Sequence, residues 1–181
     1  MSSITPFTIR KATLDDLPFL RTVDKIGCEH DGIVRTEDRE PLLLTFASGE
    51  RNFALIAFDG TKSIAAILGR EGNTSDPDLR LTKRELLVPR IGEATRYIEP
   101  FELWVHPEYR RNGIASKLKS MFEDECRARS IEWIFTFQHF ENLPAITMNE
   151  KLGYEHIGIT TMWDDVPRIC FLRRVPSIGA L

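Results

Sequence analysis

The apolar and polar positions of this chain change period several times, and each change marks a predicted element. Phe7 to Arg10 alternates apolar and polar, which predicts a first strand. Thr13 and Asp16 form a capping pair for a helix whose inner face is Leu17, Leu20 and Val23 and which Gly27 would end. Residues 28–40 are polar and charged and read as a loop. Pro41 suits the first turn of a second helix carrying Leu42 to Phe46. Phe53–Phe58 and Ser63–Leu68 are apolar strands joined through Asp59-Gly60-Thr61-Lys62, a hairpin signal. Residues 71–96 carry a single short apolar run, Leu86 to Val88, and read as a structureless insertion that could wall a site. Ile98 to Val105 is the central strand. Its Pro100 cannot donate to a ladder, which predicts an edge or a bulge. A helix follows from about Ile114 to Arg129, with Ile114, Leu118, Met121 or Phe122, and Cys126 on one side. Ile131–Phe137 is a further strand, Pro144–Leu152 a short helix stopped by Gly153, and Ile157–Met162 with Arg168–Leu172 a closing hairpin.

That order predicts an α/β fold: a mixed, mostly antiparallel sheet of about seven strands with helices on both faces, built as one domain over residues 1–181. A hydrophobic content of 42% supports a real core. The net charge of −3 argues against a basic nucleic-acid-binding surface. Cys28, Cys126 and Cys170 are far apart with no C-x-x-C, so neither a zinc site nor a disulfide framework is expected, and a reduced, cytoplasmic setting follows. The first residues lack a basic region followed by an apolar stretch, so no secretory signal is expected. No apolar run approaches the roughly 18 residues of a membrane span. His30, Asp31, Glu37 and Asp38 fit no ligand spacing, so a solvated loop is the expectation and no metal is assigned.

The chemistry concentrates where the central strand turns into its helix. Arg110-Arg111-Asn112-Gly113 leads into Ile114 and Ala115. The first N–H groups of a helix have no partner inside it, and the helix dipole there favours an anion. Gly113 allows close backbone approach and Ala115 keeps the next turn small. The two arginines add charge-assisted donors suited to phosphate.

Arg110-x-x-Gly113-x-Ala115 after an apolar strand resembles the acyl-CoA pyrophosphate loop of the GNAT superfamily of N-acetyltransferases. Asn142-Leu-Pro-Ala145-Ile-Thr-Met148-Asn149-Glu150-Lys151-Leu152-Gly153-Tyr154 resembles the second signature of that superfamily, and the two stand in the expected order. The resemblance implies an acetyl-CoA-dependent N-acetyltransferase. In that fold the fourth and fifth strands splay apart and the pantetheine arm lies between them. It implies acetyl-CoA contacts from Leu103, Trp104, Val105, Arg110, Arg111, Asn112, Gly113, Ile114, Ala115, Asn142 and Asn149.

Acyl transfer from a thioester to an amine needs the donor held, the carbonyl polarised, the amine deprotonated and the thiolate released. The exposed backbone near Leu103 to Val105, the Val105 N–H first, is the candidate carbonyl donor. The resemblance puts a base at Glu99, with Glu102 second and expected on the opposite face. Many superfamily members have a Tyr where Asn149 stands, protonating the thiolate. An amide is no proton acid, so Asn149 is expected to donate a hydrogen bond to sulfur instead. The resemblance implies that Asn142 holds the pantetheine amide; it also suits the cap of the helix after it, and the two roles are compatible. His106 and His139 are expected to be structural, and His156 is left open. The predicted activity is transfer of acetyl from acetyl-CoA to a primary amine by direct attack in a ternary complex, with no nucleic-acid or membrane partner and a homodimer left open. The alternative is a non-catalytic acyl-CoA-binding module of the same fold. A nucleotide-binding protein is disfavoured by the absence of G-x-x-x-x-G-K-[ST] and G-x-G-x-x-G. Residues 28–50, residues 71–96 and the last hairpin carry no substrate signature that names the acceptor.

Overall fold

A computed structural model describes residues 7–30, 38–162 and 164–176. Its strands are β1 (Thr8–Lys11), β2 (Phe53–Asp59), β3 (Lys62–Asn73), β4 (Arg96–Val105), β5 (Trp133–His139), β6 (Glu155–Thr161) and β7 (Pro167–Arg174). The helices are α1 (Leu17–His30), α2 (Glu40–Ser48), α3 (Leu81–Ile91), α4 (Ile114–Ala128) and α5 (Leu143–Lys151). The strands form one sheet in the order β1-β2-β3-β4-β5-β7-β6. The β1–β2, β2–β3, β5–β7 and β6–β7 pairs are antiparallel, whereas β4 and β5 pair in parallel at Ile98 and Ile134. This is the mixed, mostly antiparallel α/β sheet that the periodicity predicts.

The chain divides into two compact units, Met1–Arg70 with Pro100–Glu123 and Glu71–Glu99 with Asp124–Leu181. In the first unit, Ala54, Ile56 and Phe58 of β2 join Leu20 and Val23 of α1 and Leu43 and Phe46 of α2 in one buried cluster. Successive strand residues point to opposite faces. Phe53, out of phase with that set, packs on Phe122 of α4, ring centroids 4.9 Å apart. Helices therefore cover both faces of this unit's strands. Asp24 of α1, buried, is bound by Arg39 at 2.8 Å just before α2 begins. Phe101 and Trp104 of β4 both pack against the α1–α2 cluster. They are three residues apart, which a regular period of two does not allow, so the pleat slips just past Pro100. Pro100 does not make β4 an edge strand, because β4 lies between β3 and β5.

In the second unit, Leu87, Tyr97, Phe135, Ile157, Met162, Cys170 and Leu172 form the buried cluster. Here the expectation of a structureless stretch over 71–96 is corrected. The stretch contains the tail of β3 and the eleven-residue helix α3. The buried positions of α3 are Lys83 and Leu87, so its inner face is only half apolar and its period is hidden; Pro89 reads as a breaker but sits in the last turn. Arg90 donates to the Ile157 carbonyl of β6 at 2.9 Å, and Arg80, just before α3, binds the carbonyl of Met162, just after β6.

Two further boundaries differ from expectation. Gly27 does not end α1, which runs on to His30, so residues 28–30 are helix rather than loop. Gly27 lies beside the inner-face residues Asp24 and Cys28, and a Cβ there would collide with the Glu102 carboxylate. The glycine serves close approach rather than chain reversal. Asp31 and Glu37 lie outside the described residues. The strand expected from Ile131 begins at Trp133.

Candidate active site

Pro107–Tyr109 makes one 3-10 turn after β4, and residues 110–113 then feed α4. Lys117 N–H donates to the Gly113 carbonyl at 3.0 Å, so Gly113 is the residue at which the helix starts. Gly113 has φ +76°, and a Cβ built on it would meet nothing within 4 Å. Arg111 also has positive φ, +64°, a conformation an arginine adopts only at a cost of about 1–2 kcal/mol. Left-handed residues next to a helix start turn backbone N–H groups inward and make an anion-binding concavity. The first turn of α4 carries no acidic residue to oppose an anion. Arg110 and Arg111 are exposed, whereas Ile114 is buried, which leaves its backbone and not its side chain for a ligand. These residues fit a pyrophosphate. Arg110 has a second function: its Nε donates to the Val105 carbonyl at 3.0 Å, bracing the turn against the end of β4.

His106 N–H donates to the Ile64 carbonyl of β3 at 2.9 Å. Successive N–H groups of an extended chain point to opposite edges, so the Val105 N–H points away from β3. That is the direction a carbonyl donor needs to be free of the β3 ladder. Leu103 is half-buried, and Trp104 stands edge-on to Phe19 at 5.9 Å and to His106 at 5.8 Å. Glu102 faces α1 at Gly27.

Glu99 is only 3% exposed and accepts a hydrogen bond from the Lys83 ammonium at 2.5 Å. Lys83, 8% exposed, also lies over the rings of Phe135 and Tyr97, at 5.1 and 5.9 Å. Sequence reasoning missed Lys83 because it sits in the stretch read as structureless. Its only sequence signal is its place four residues before Leu87, one helical turn away. Cys170 of β7 shares this pocket of charge. Burial pushes its thiol up to about 11, with Lys83 and Arg168 opposing and Glu99 adding to the rise. It is therefore a protonated, inert thiol at neutral pH.

Asn142 caps α5, its Oδ1 accepting the Ala145 N–H at 3.3 Å, and its Nδ2 donates to Gln138 at 3.5 Å. The cap half of the sequence reading therefore holds. Asn149 is fully buried near the end of α5, and its carbonyl accepts the Tyr154 N–H at 3.0 Å. His139 Nδ1 accepts the Glu141 N–H at 3.2 Å with its ring stacked on Phe140, and the His156 ring lies 3.1 Å from the Gly158 carbonyl. Both histidines thus have structural contacts. Among the described residues no cluster of three or more His, Cys, Asp or Glu is arranged to hold a metal, and no helix is long and apolar enough to cross a membrane.

The family model described as the acetyltransferase (GNAT) family matches residues 21–154. A comparison with curated protein sequences finds no match. Among solved structures, Arabidopsis thaliana NAA60 in complex with a bisubstrate analogue is similar over 93% of this chain and 98% of its own, with a TM-score of 0.69 and 13% identity. The ribosomal-protein-S18-alanine N-acetyltransferase from Escherichia coli is similar over 97% of each chain, with a TM-score of 0.62 and 19% identity. Arabidopsis thaliana Naa50 in complex with the bisubstrate analogue CoA-Ac-MVNAL covers 92% of this chain and 97% of its own, with a TM-score of 0.66 and 14% identity. At these identities the likeness is one of fold.

Proposed function

This chain belongs to the acetyltransferase (GNAT) family, and from that premise we propose that it transfers the acetyl group of acetyl-CoA to a primary amine by direct attack, both substrates being held at once. The observation that carries the proposal is the turn at residues 110–115. It combines two positive-φ residues, open space at Gly113, exposed arginines and an acid-free helix start. In this reading the backbone N–H groups of Asn112 to Ala115 and the guanidinium of Arg111 hold the pyrophosphate, and Arg110 keeps the turn against β4. Leu103, Trp104 and Val105 line the acyl-pantetheine arm, and Asn142 adds an amide contact.

Glu99 takes a proton from the acceptor ammonium, and the neutral nitrogen attacks the thioester carbon. The N–C bond forms, and the Val105 N–H stabilises the oxygen as negative charge develops on it. The C–S bond then breaks, and the amine's second proton leaves with water. Asn149 donates a hydrogen bond to the departing sulfur. A thiol has a pKa of about 8.5, so the thiolate needs little acid assistance. Peptide α-amines, pKa about 7.7–8.0, are easier to deprotonate than lysine side chains, about 10.4. Peptide N-termini head the list of acceptors because solved relatives of this fold carry names for peptide and protein acetylation. The three cysteines are buried and form no disulfide, in keeping with a cytoplasmic setting.

A second reading, acyl-CoA binding without turnover, is favoured by the Lys83 ammonium already seated on Glu99. The deciding experiment is thermal shift with a series of acyl-CoAs, followed by thiol release over a panel of peptides, polyamines and lysine analogues. Turnover with at least one amine, lowered about a hundredfold to ten-thousandfold by Glu99→Gln, supports the enzyme. Tight acetyl-CoA binding with no thiol release over the whole panel supports the binding module.

A further inference from the structure

Glu99 and Lys83 are sixteen residues apart, on β4 and α3, and they meet at 2.5 Å with neither side chain open to solvent. A buried ion pair brings little net stability, because desolvating two charges offsets most of their attraction. This one is nevertheless built with care. Two aromatic rings, Tyr97 and Phe135, frame the ammonium, and α3 is held by Arg90 on the Ile157 carbonyl of β6 and by Arg80, just before the helix, on the carbonyl of Met162 just after that strand. Gly158, whose missing side chain leaves room for Leu86, lets α3 sit close on β6. The helix is thus fastened where it must be for Lys83 to reach the carboxylate.

Resting on the reading of Glu99 as the base, we infer that Lys83 is a positioning residue, which holds the Glu99 carboxylate ionised and aimed as acetyl transfer begins. An ammonium at this distance favours the charged form of a carboxylate that burial alone would neutralise. Among the described residues, the ionisable groups near the pair include the thiol of Cys170 on β7, with the Arg168 guanidinium acting on that thiol, and the phenol of Tyr97 on β4. Arg168 is engaged by Asp164, and the thiol is protonated at neutral pH, so Lys83 is the cation seated on the Glu99 carboxylate.

The test compares pH profiles of single-turnover acyl transfer for the full chain and for Lys83→Met, Lys83→Gln and Lys83→Arg. Glu99→Gln identifies which limb belongs to Glu99. Acetyl-CoA calorimetry on each variant verifies that it is folded. Removing the cation should move the Glu99 limb to higher pH by about one to three units, and Lys83→Arg should return it close to the starting profile. The carbon-13 resonance of the Glu99 carboxyl, assigned through Glu99→Gln, should titrate with the same displacement between the full chain and Lys83→Gln. If Lys83→Met does not fold, Lys83→Gln carries the comparison. An unmoved limb and an unmoved resonance in a folded Lys83→Gln, with Glu99→Gln still strongly impaired, overturn the inference and leave Glu99 as base. Full turnover in Glu99→Gln overturns the base reading and the positioning inference with it.

Discussion

The carboxylate of Glu102 lies over Gly27, in the space a Cβ would take. Helix α1 passes through Gly27 because the gap its missing side chain leaves is filled from β4. Two effects compete when Gly27 is replaced by Ala. A helix interior gains about 1 kcal/mol from Gly to Ala. Glu102 must at the same time swing out of contact. In a Glu102→Ala background the gain should therefore appear in full, about 1 kcal/mol in urea unfolding. With Glu102 present it should be smaller by at least about 0.5 kcal/mol. Equal gains in both backgrounds would mean that the contact does not constrain α1.

Gly113→Asp should weaken acetyl-CoA binding at least about tenfold. The added carboxylate lies at the helix start, where it repels the pyrophosphate, and the left-handed φ of +76° strains any side chain. Gly113→Ala separates the two effects, since nothing lies within 4 Å of its Cβ and only the backbone strain remains. Calorimetry with acetyl-CoA measures both. Undiminished affinity in a folded Gly113→Asp protein would remove residues 110–115 from the site.

Asn149→Ala should reduce turnover by well under about a thousandfold, since a hydrogen bond to sulfur is worth less than a full acid–base contribution. Because Asn149 is fully buried, the same change should also cost about 1–3 kcal/mol of stability. Rapid-quench measurement of thiol release at saturating acetyl-CoA separates the chemical effect from unfolding. A larger loss in the folded protein would show that Asn149 takes part in proton transfer.

Lys119 is buried on α4, one turn before Glu123, and burial lowers its pKa from 10.5 to about 8. Between those values the unfolded chain binds more protons than the folded one, so this lysine makes stability rise as pH rises from about 8 to 10.5. Cys170 acts in the opposite sense, since its raised thiol binds a proton in the folded chain up to about pH 11. The difference between the full chain and Lys119→Met isolates the lysine. Urea midpoints measured from pH 7.5 upward should show the full chain gaining relative to the variant across that window. Parallel curves would mean that Lys119 reaches solvent.

The seven strands, four of the five helices, the turn at 110–113 and the run from Asn142 to Tyr154 were legible in the sequence because each rests on local signals. These are a period of two or of about 3.6, a glycine turn, or a cap within three residues. Asn142 could be read as a cap because its partner, the Ala145 N–H, is three residues away. What lies across the fold was not legible. The helicity of α3 was hidden because a lysine occupies its inner face, and a buried lysine looks polar until Glu99 is found beside it. Gly27 reads as a helix stop until Glu102 is seen to need the space. Arg111 gives no sign in sequence of its left-handed backbone, which the turn into α4 imposes. Periodicity reports whether a side chain is apolar, but tertiary structure decides whether a polar one is paired. The free energy of a buried charge depends on that pairing.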